Sequence, residues 1–219
     1  MTTPRIALIH ATPIVIEPVA SAFRELWPQA RVSGLLDDSL APDLEAAGGI
    51  TPELTERCVS LARYSEKCGA DALLFTCAGF ETAIDEVKRA VRIPVLKPNE
   101  AMLDEALAAG SRIVLLGTLE SRIALLRAEL EQIAADRHAS LQIQTRAIPN
   151  ALDALRQGRV PEHDRLIAAT ADEVDACDAL LFAQFSMTRA AAGVAPRSDR
   201  RVLTSPRSAV ARLKQILAP

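Results

Sequence analysis

The chain has 219 residues, 49% of them hydrophobic but only 3% aromatic, and a formal net charge of −3. A sizeable aliphatic core is therefore within reach, and the charge gives no electrostatic case for a nucleic acid or an anionic membrane as partner. No apolar run approaches the roughly 20 residues that span a bilayer, and the opening Met1-Thr2-Thr3-Pro4-Arg5 lacks the long apolar region of a signal peptide, so a cytoplasmic protein is the expectation.

In chain order, Arg5 to His10 is a short apolar run that reads as a buried strand. Thr12-Pro13 opens a helix to about Trp27, since Pro fits a first helical turn where its missing N–H has no partner anyway. Arg31 to Leu36 is a second strand, ending in Asp37-Asp38-Ser39. Thr51-Pro52-Glu53 starts a long helix, with Thr51 as N-cap and Gly69 beyond its end. Ala70 to Thr76 is the third strand, Cys77-Ala78-Gly79 a tight turn, and Phe80 to Val91 a helix. Ile93 to Leu96 is a fourth strand, whose Pro94 marks a strand start or an edge. Asn99 to Ala109 is a helix that Gly110 ends. The rhythm then recurs as strand 112–116, helix about 120–136, strand 141–147, helices about 151–157 and 162–176, and strand 179–183. A strand at 201–204 and a helix from Pro206 to Leu217 close the chain.

The recurrence is a repeat in sequence as well. Asp71-Ala72-Leu73-Leu74-Phe75-Thr76-Cys77 matches Asp178-Ala179-Leu180-Leu181-Phe182-Ala183-Gln184, at an offset of 178 − 71 = 107. The same offset carries Arg5-Ile6-Ala7-Leu8-Ile9 onto Arg112-Ile113-Val114-Leu115-Leu116, and Val95-Leu96 onto Val202-Leu203. Three strand-like segments in one register mark an internal duplication. The second strand of the second copy sits about four residues late, which places a small insertion near His138. Strand and helix in alternation imply parallel sheets covered on both faces. The expected fold is α/β, with two pseudo-symmetric doubly wound lobes, each holding a mostly parallel sheet of about four strands. The lobes span residues 1–98 and 99–205, with the C-terminal helix 206–219 a candidate to complete the first.

Ligands of open parallel sheets bind beyond the carboxyl ends of the strands. Those ends carry His10-Ala11-Thr12, Asp37-Asp38-Ser39, Cys77-Ala78-Gly79 and Pro98-Asn99 in the first copy. In the second they carry Gly117-Thr118, Pro149-Asn150, Gln184-Phe185-Ser186 and Ser205. If pseudo-twofold symmetry faces the copies toward each other, Cys77 and Gln184 oppose one another across one cleft. The plain readings stand beside this one. A free Cys is usually a buried, inert core residue, and Cys58, Cys68 and Cys177 are read as packing. No Cys or His spacing suggests zinc or a disulfide framework. Asp37-Asp38 suits a turn or cap better than a metal pair. Ser186 and Thr188 read as helix caps, His10 as either a satisfied strand-end histidine or a general base, and His138 and His163 as solvated.

The Thr76-Cys77-Ala78-Gly79 turn after an apolar strand, echoed in the second half at Gln184, resembles the aspartate/glutamate racemase superfamily, a group that includes hydantoin racemases, maleate isomerase and arylmalonate decarboxylase. The resemblance covers nearly the whole chain. It implies two pseudo-symmetric lobes, no cofactor, no metal, a small-molecule carboxylate as substrate, and a homodimer. It also implies one cysteine at the third-strand tip of each lobe. Only the first carries over, onto Cys77; Gln184 stands where the second is expected, and an amide has no proton to exchange at accessible pH.

Cys77 is thus the expected catalytic thiol, beside a helix N-terminus that favours the thiolate. Thr12, Asp37, Ala78, Gly79, Thr118, Leu119, Gln184 and Ser186 are the candidate substrate-binding residues. The N–H groups of Ala78 and Gly79 suit a substrate carboxylate, with Thr118 and the Leu119 amide as further donors. Each well-placed donor can supply roughly 3 kcal/mol of transition-state stabilisation. His10, Asp37 and Ser186 are candidates for a second acid or base. The leading expectation is a cofactor-independent, racemase-like isomerase acting at the carbon next to a carboxylate. A decarboxylase of a malonate-like acid, a cis–trans isomerase in the same site, and a non-catalytic carboxylate-binding protein remain open.

Overall fold

Runs of Ile, Leu, Val and Ala with no polar alternation need cover on both faces, and the chain supplies it. The computed structural model describes residues 3–217. The strands β1 (Arg5–His10), β2 (Arg31–Leu36), β3 (Ala72–Phe75) and β4 (Val95–Leu96) form one sheet in the order β2-β1-β3-β4. A second sheet holds β5 (Arg112–Gly117), β6 (Gln142–Ala147), β7 (Ala179–Phe182) and β8 (Arg201–Thr204) in the order β6-β5-β7-β8. Every pairing is parallel. Each sheet is thus the doubly wound unit the sequence led us to expect. The edge strands β2 and β6 are mostly exposed, whereas β3 and β7 are buried throughout.

The helices are α1 (Ile16–Leu26), α2 (Leu40–Ala47), α3 (Pro52–Lys67), α4 (Glu81–Ala90), α5 (Glu100–Ala109), α6 (Glu120–Asp136), α7 (Ala151–Arg156), α8 (Val160–Asp172) and α9 (Ser205–Leu217). Short 3₁₀ segments run over Pro13–Val15 and Phe185–Gly193. The Thr51 side chain accepts the Leu54 N–H at 3.3 Å, the N-cap expected for α3. On one face of the first sheet Ala7, Ile9, Leu73 and Phe75 pack with Cys58 and Ala62 of α3 and Ile84 and Val87 of α4. In the second, Leu116, Leu180 and Phe182 pack with Ile167 of α8 and Met187, while Ile113, Leu115 and Leu181 pack with α5 and α6.

The chain divides into two compact units, one reaching to Ala101 and resuming at Ala209, the other Met102–Ser208. The first turn of α9 is tied to the second unit, where the Ser208 hydroxyl donates to Glu105 at 2.8 Å. Further along α9, Lys214 donates to the Leu26 carbonyl of the first unit at 3.0 Å. Of the helix expected over 206–219, the last two residues lie outside the described residues, as do Met1 and Thr2.

Three expectations need correction. Helix α2 was not anticipated; Gly48 in a left-handed conformation (φ 68°) closes it. Ser186 and Thr188 are not caps, because the segment from Phe185 is itself helical and the Thr188 hydroxyl donates to the Phe185 carbonyl within it. Helix α8 stops at Asp172 rather than 176, since the buried Arg200 guanidinium donates to the Ala171 carbonyl at 2.6 Å and competes for the last turn's acceptors.

The repeat extends to matching hydrogen bonds. The Asp71 carboxylate accepts the Arg5 N–H at 2.7 Å, and the Asp178 carboxylate accepts the N–H groups of Ser111 and Arg112, both at 2.9 Å. A Cβ on Gly110 would lie 2.3 Å from that Asp178 oxygen, so only glycine fits. The Arg112 guanidinium and these amides hold the Asp178 carboxyl down at about 2. A carboxylate depressed in this way stabilises the fold above its unfolded value, and the contribution fades as pH falls from about 4 toward 2. Asp178→Asn should therefore flatten the dependence of the urea midpoint on pH over that window; an unchanged slope would show that the ring of donors does not act on folding.

Candidate active site

Strand β3 ends at Phe75, and the next two residues carry the chemistry. Cys77 is partly exposed and packs against the face of the first sheet that holds Ile9 and Phe75. Its Sγ accepts the backbone N–H of Ala11, just past the end of β1, at 3.3 Å. The Thr76 hydroxyl lies 3.8 Å from the same sulfur, 3.2 Å from the Ile9 carbonyl and 2.8 Å from His10 Nδ1. An amide donor on a thiol favours its ionised form, because the dipole stabilises the charge on sulfur. The turn that follows is tight, with Gly79 at φ 99° and a Leu44 methyl of α2 lying 3.1 Å from where a Cβ would stand. Helix α2, missed in the sequence, thus backs the thiol's turn.

The matching tip of the second unit repeats the arrangement with other atoms. Gln184 Oε1 accepts the Thr118 backbone N–H at 2.7 Å and the Thr118 hydroxyl at 3.0 Å. The offset is that of the repeat: 118 − 11 = 107 and 184 − 77 = 107. Thr76 N–H donates to the Ile9 carbonyl, and Ala183 N–H to that of Leu116, in the same relation. Because two donors converge on Oε1, the amide orientation is determined. Gln184 Nε2 then has no partner among the described residues, and its two N–H bonds remain for a ligand.

The other candidates fall out as follows. The Gly79 N–H donates to both oxygens of Glu81, at 2.9 and 3.0 Å, so a substrate carboxylate must compete with that side chain. Ala78 is half-buried in the turn, and α4 begins at Glu81 rather than Phe80. Thr12 precedes the 3₁₀ turn at Pro13 in an extended conformation. Leu119 is the extended residue ahead of α6, 37% exposed. Ser186 is half-buried in the 3₁₀ segment. Asp37 is clamped instead: Arg57 donates to it at 2.7 Å and the Ser39 hydroxyl at 2.7 Å, while Arg57 also pairs with Asp43. Burial pushes the Asp37 carboxyl up, but the hydrogen bonds from Ser39 and Arg57 outweigh it and leave it below the usual range. Arg57 was not singled out in the sequence; one arginine on a polar helix face gives no signal.

His10 is only 2% exposed, and burial lowers its pKa, which keeps the ring neutral. It touches Cys77 only through Thr76. The other sulfurs differ from expectation in one case. Cys58 and Cys177 are buried, with the Cys58 thiol pushed up to about 11 by burial, but Cys68 is exposed at the end of α3. His163, expected in solvent, is fully buried and pairs through Nδ1 with Asp164 at 2.8 Å. Among the described residues no group of three His, Cys, Asp or Glu side chains is placed to hold a metal, and no helix is long and apolar enough to cross a membrane.

The profile of the Asp/Glu/hydantoin racemase family matches residues 8–213. The chain belongs to that family. Solved structures agree at the level of fold. An aspartate racemase homologue from Pyrococcus horikoshii superposes with a TM-score of 0.74 at 14% identity, covering 100% of both chains. Allantoin racemase from Klebsiella pneumoniae gives 0.69 at 18% identity, over 99% of this chain and 88% of that one. A glutamate racemase from Bacillus anthracis gives 0.67 at 14% identity, over 99% and 82%. Among curated proteins no significant match is found. The chain is therefore a racemase-type isomerase by family.

Proposed function

We propose that the protein is a cofactor-independent isomerase that works on the carbon next to a carboxylate of a small molecule, with Cys77 as its single thiol acid–base or nucleophile. The carrying observation is the pair of matched tips: an amide on sulfur in one unit, and the equivalent amide on Gln184 in the other. With Oε1 occupied, Gln184 presents N–H donors, which suits a carboxylate or an enolate oxygen rather than proton transfer. Cys77 then removes or returns the α-proton on one face of the carbon, and water supplies or accepts the proton on the other. The enolate charge is taken up by the N–H groups around the Cys77 turn.

A second reading follows from the same substitution. One thiol is all that is needed to protonate an enolate after loss of carbon dioxide, so a decarboxylase of a malonate-like acid uses this site without a second base. The two readings part in heavy water. Incubated with amino acids, hydantoins and arylmalonates, the isomerase exchanges the α-proton for deuterium with carbon conserved, and the decarboxylase releases carbon dioxide. A folded protein that binds such acids yet does neither would reduce the site to a carboxylate receptor.

A further inference from the structure

One atom of His10 is left over by this chemistry. Along β1 the side chains alternate, so Leu8 and His10 lie on the sheet face opposite to Ala7 and Ile9, and register pairs them with Gly34 and Leu36 of β2. His10 Nδ1 is taken by the Thr76 hydroxyl. Nε2 has no partner among the described residues, although the residue is buried, and it lies 3.0 Å from where a Cβ on Gly34 would stand. It opens on a cleft of about 340 Å³ lined by Leu8, Phe23, Trp27, Val32 and Gly34. The repeat does not explain this cleft. The equivalents of His10 and Thr76 are Gly117 and Ala183, and Ile123 fills the corresponding space, 2.4 Å from where a Gly117 Cβ would be.

We propose that the cleft is a second binding site, for a small and largely apolar ring bearing one hydroxyl or N–H donor that His10 Nε2 accepts. The volume sits at the lower end of the range for ligand pockets, on the order of 300–1,000 Å³, and the lining is largely apolar, with His10 on its wall and Arg24, which is paired with Glu17, as its one other charged or titratable member. The proposal requires Nδ1–H to donate to Thr76, an arrangement that proton counting allows. Thr76 has one hydroxyl proton and two other acceptors, the Ile9 carbonyl and Cys77 Sγ. With the proton given to either, Nδ1–H is the donor to Thr76, and a neutral ring leaves Nε2 as a bare lone pair. Left empty of ligand, that lone pair faces the water of the cleft, and a ligand donor takes that water's place.

Trp27 lines the cleft and is the only tryptophan, so its emission reports on this site alone. Titration with phenol should give a saturable change at about millimolar concentration, as befits a fragment of this size. Toluene should bind about five- to tenfold more weakly, the effect of one lost hydrogen bond. Gly34 is not in the left-handed region, so Gly34→Ala suits the strand; its methyl meets Nε2 and should weaken phenol at least tenfold. Imidazole ¹⁵N spectra of the unaltered protein provide a readout that needs no variant: an Nδ1–H tautomer whose Nε2 resonance moves on adding phenol. Equal affinity for toluene, no saturation, undiminished binding in folded Gly34→Ala, or an Nε2–H tautomer would each overturn the proposal. Cys77→Ala should bind phenol as well as the parent; loss of binding there would place phenol at the thiol instead and end the proposal, whatever the reaction catalysed.

Discussion

Cys77→Ala should lower α-proton exchange on the responsive carboxylate by about 10²–10⁴-fold, the usual worth of a positioned acid–base group. Cys77→Ser should fall nearly as far, because a hydroxyl at that position is scarcely ionised at neutral pH even with the Ala11 N–H directed at it. On the proposed reading other groups hold the substrate carboxylate, so KM should change far less than kcat in both variants. Exposure of Cys68 shapes the companion experiment. Alkylation of the parent protein labels the Cys68 thiol whatever Cys77 does, so the comparison belongs in a Cys68→Ser background. There, iodoacetamide should modify one residue near neutral pH and remove activity in proportion to label, while the buried Cys58 and Cys177 stay unmodified. Retention of more than a tenth of the exchange rate in folded Cys77→Ala would remove the thiol from the mechanism.

The parts of the fold legible in the sequence were those with a strong local signal. Leu73-Leu74-Phe75 and Leu180-Leu181-Phe182 are too apolar to be anything but central strands, and their constant offset marks the duplication. The insertion has a structural counterpart: Asp37 N–H bonds the His10 carbonyl and Ile148 N–H the Gly117 carbonyl, and 148 − 37 = 111 is four more than the repeat offset. What escaped had a weak local pattern. Helix α2 is short and carries Pro42 near its start, so its periodicity is brief; Leu40 and Leu44 become informative only once they pack beside the Cys77 turn. The roles of Arg57 and Glu81 depend on which polar groups folding brings near them. The same holds for His10, whose neighbour Thr76 is 66 residues away in sequence.

Gln184→Cys is the variant with the most to reveal. The new thiol takes the place of an amide whose oxygen accepts the Thr118 N–H, as Cys77 sulfur accepts that of Ala11. The second strand tip then offers sulfur under the same backbone donor as the first. The residue is only half-buried, so the loss of side-chain volume should cost about 1 kcal/mol or less of stability. If both tips serve one α-carbon, stereoinversion should rise at least tenfold over the parent, with a second thiol returning the proton that the first removes. Gln184→Ala separates this gain from mere loss of the amide: it should bring no increase in inversion. The pair Cys77→Ala with Gln184→Cys should exchange the α-proton while inverting poorly, because a single base can reach only one face of the carbon. A folded Gln184→Cys protein that inverts no faster than the parent would mean that the two tips do not act on the same atom, and the decarboxylase reading would then carry the site.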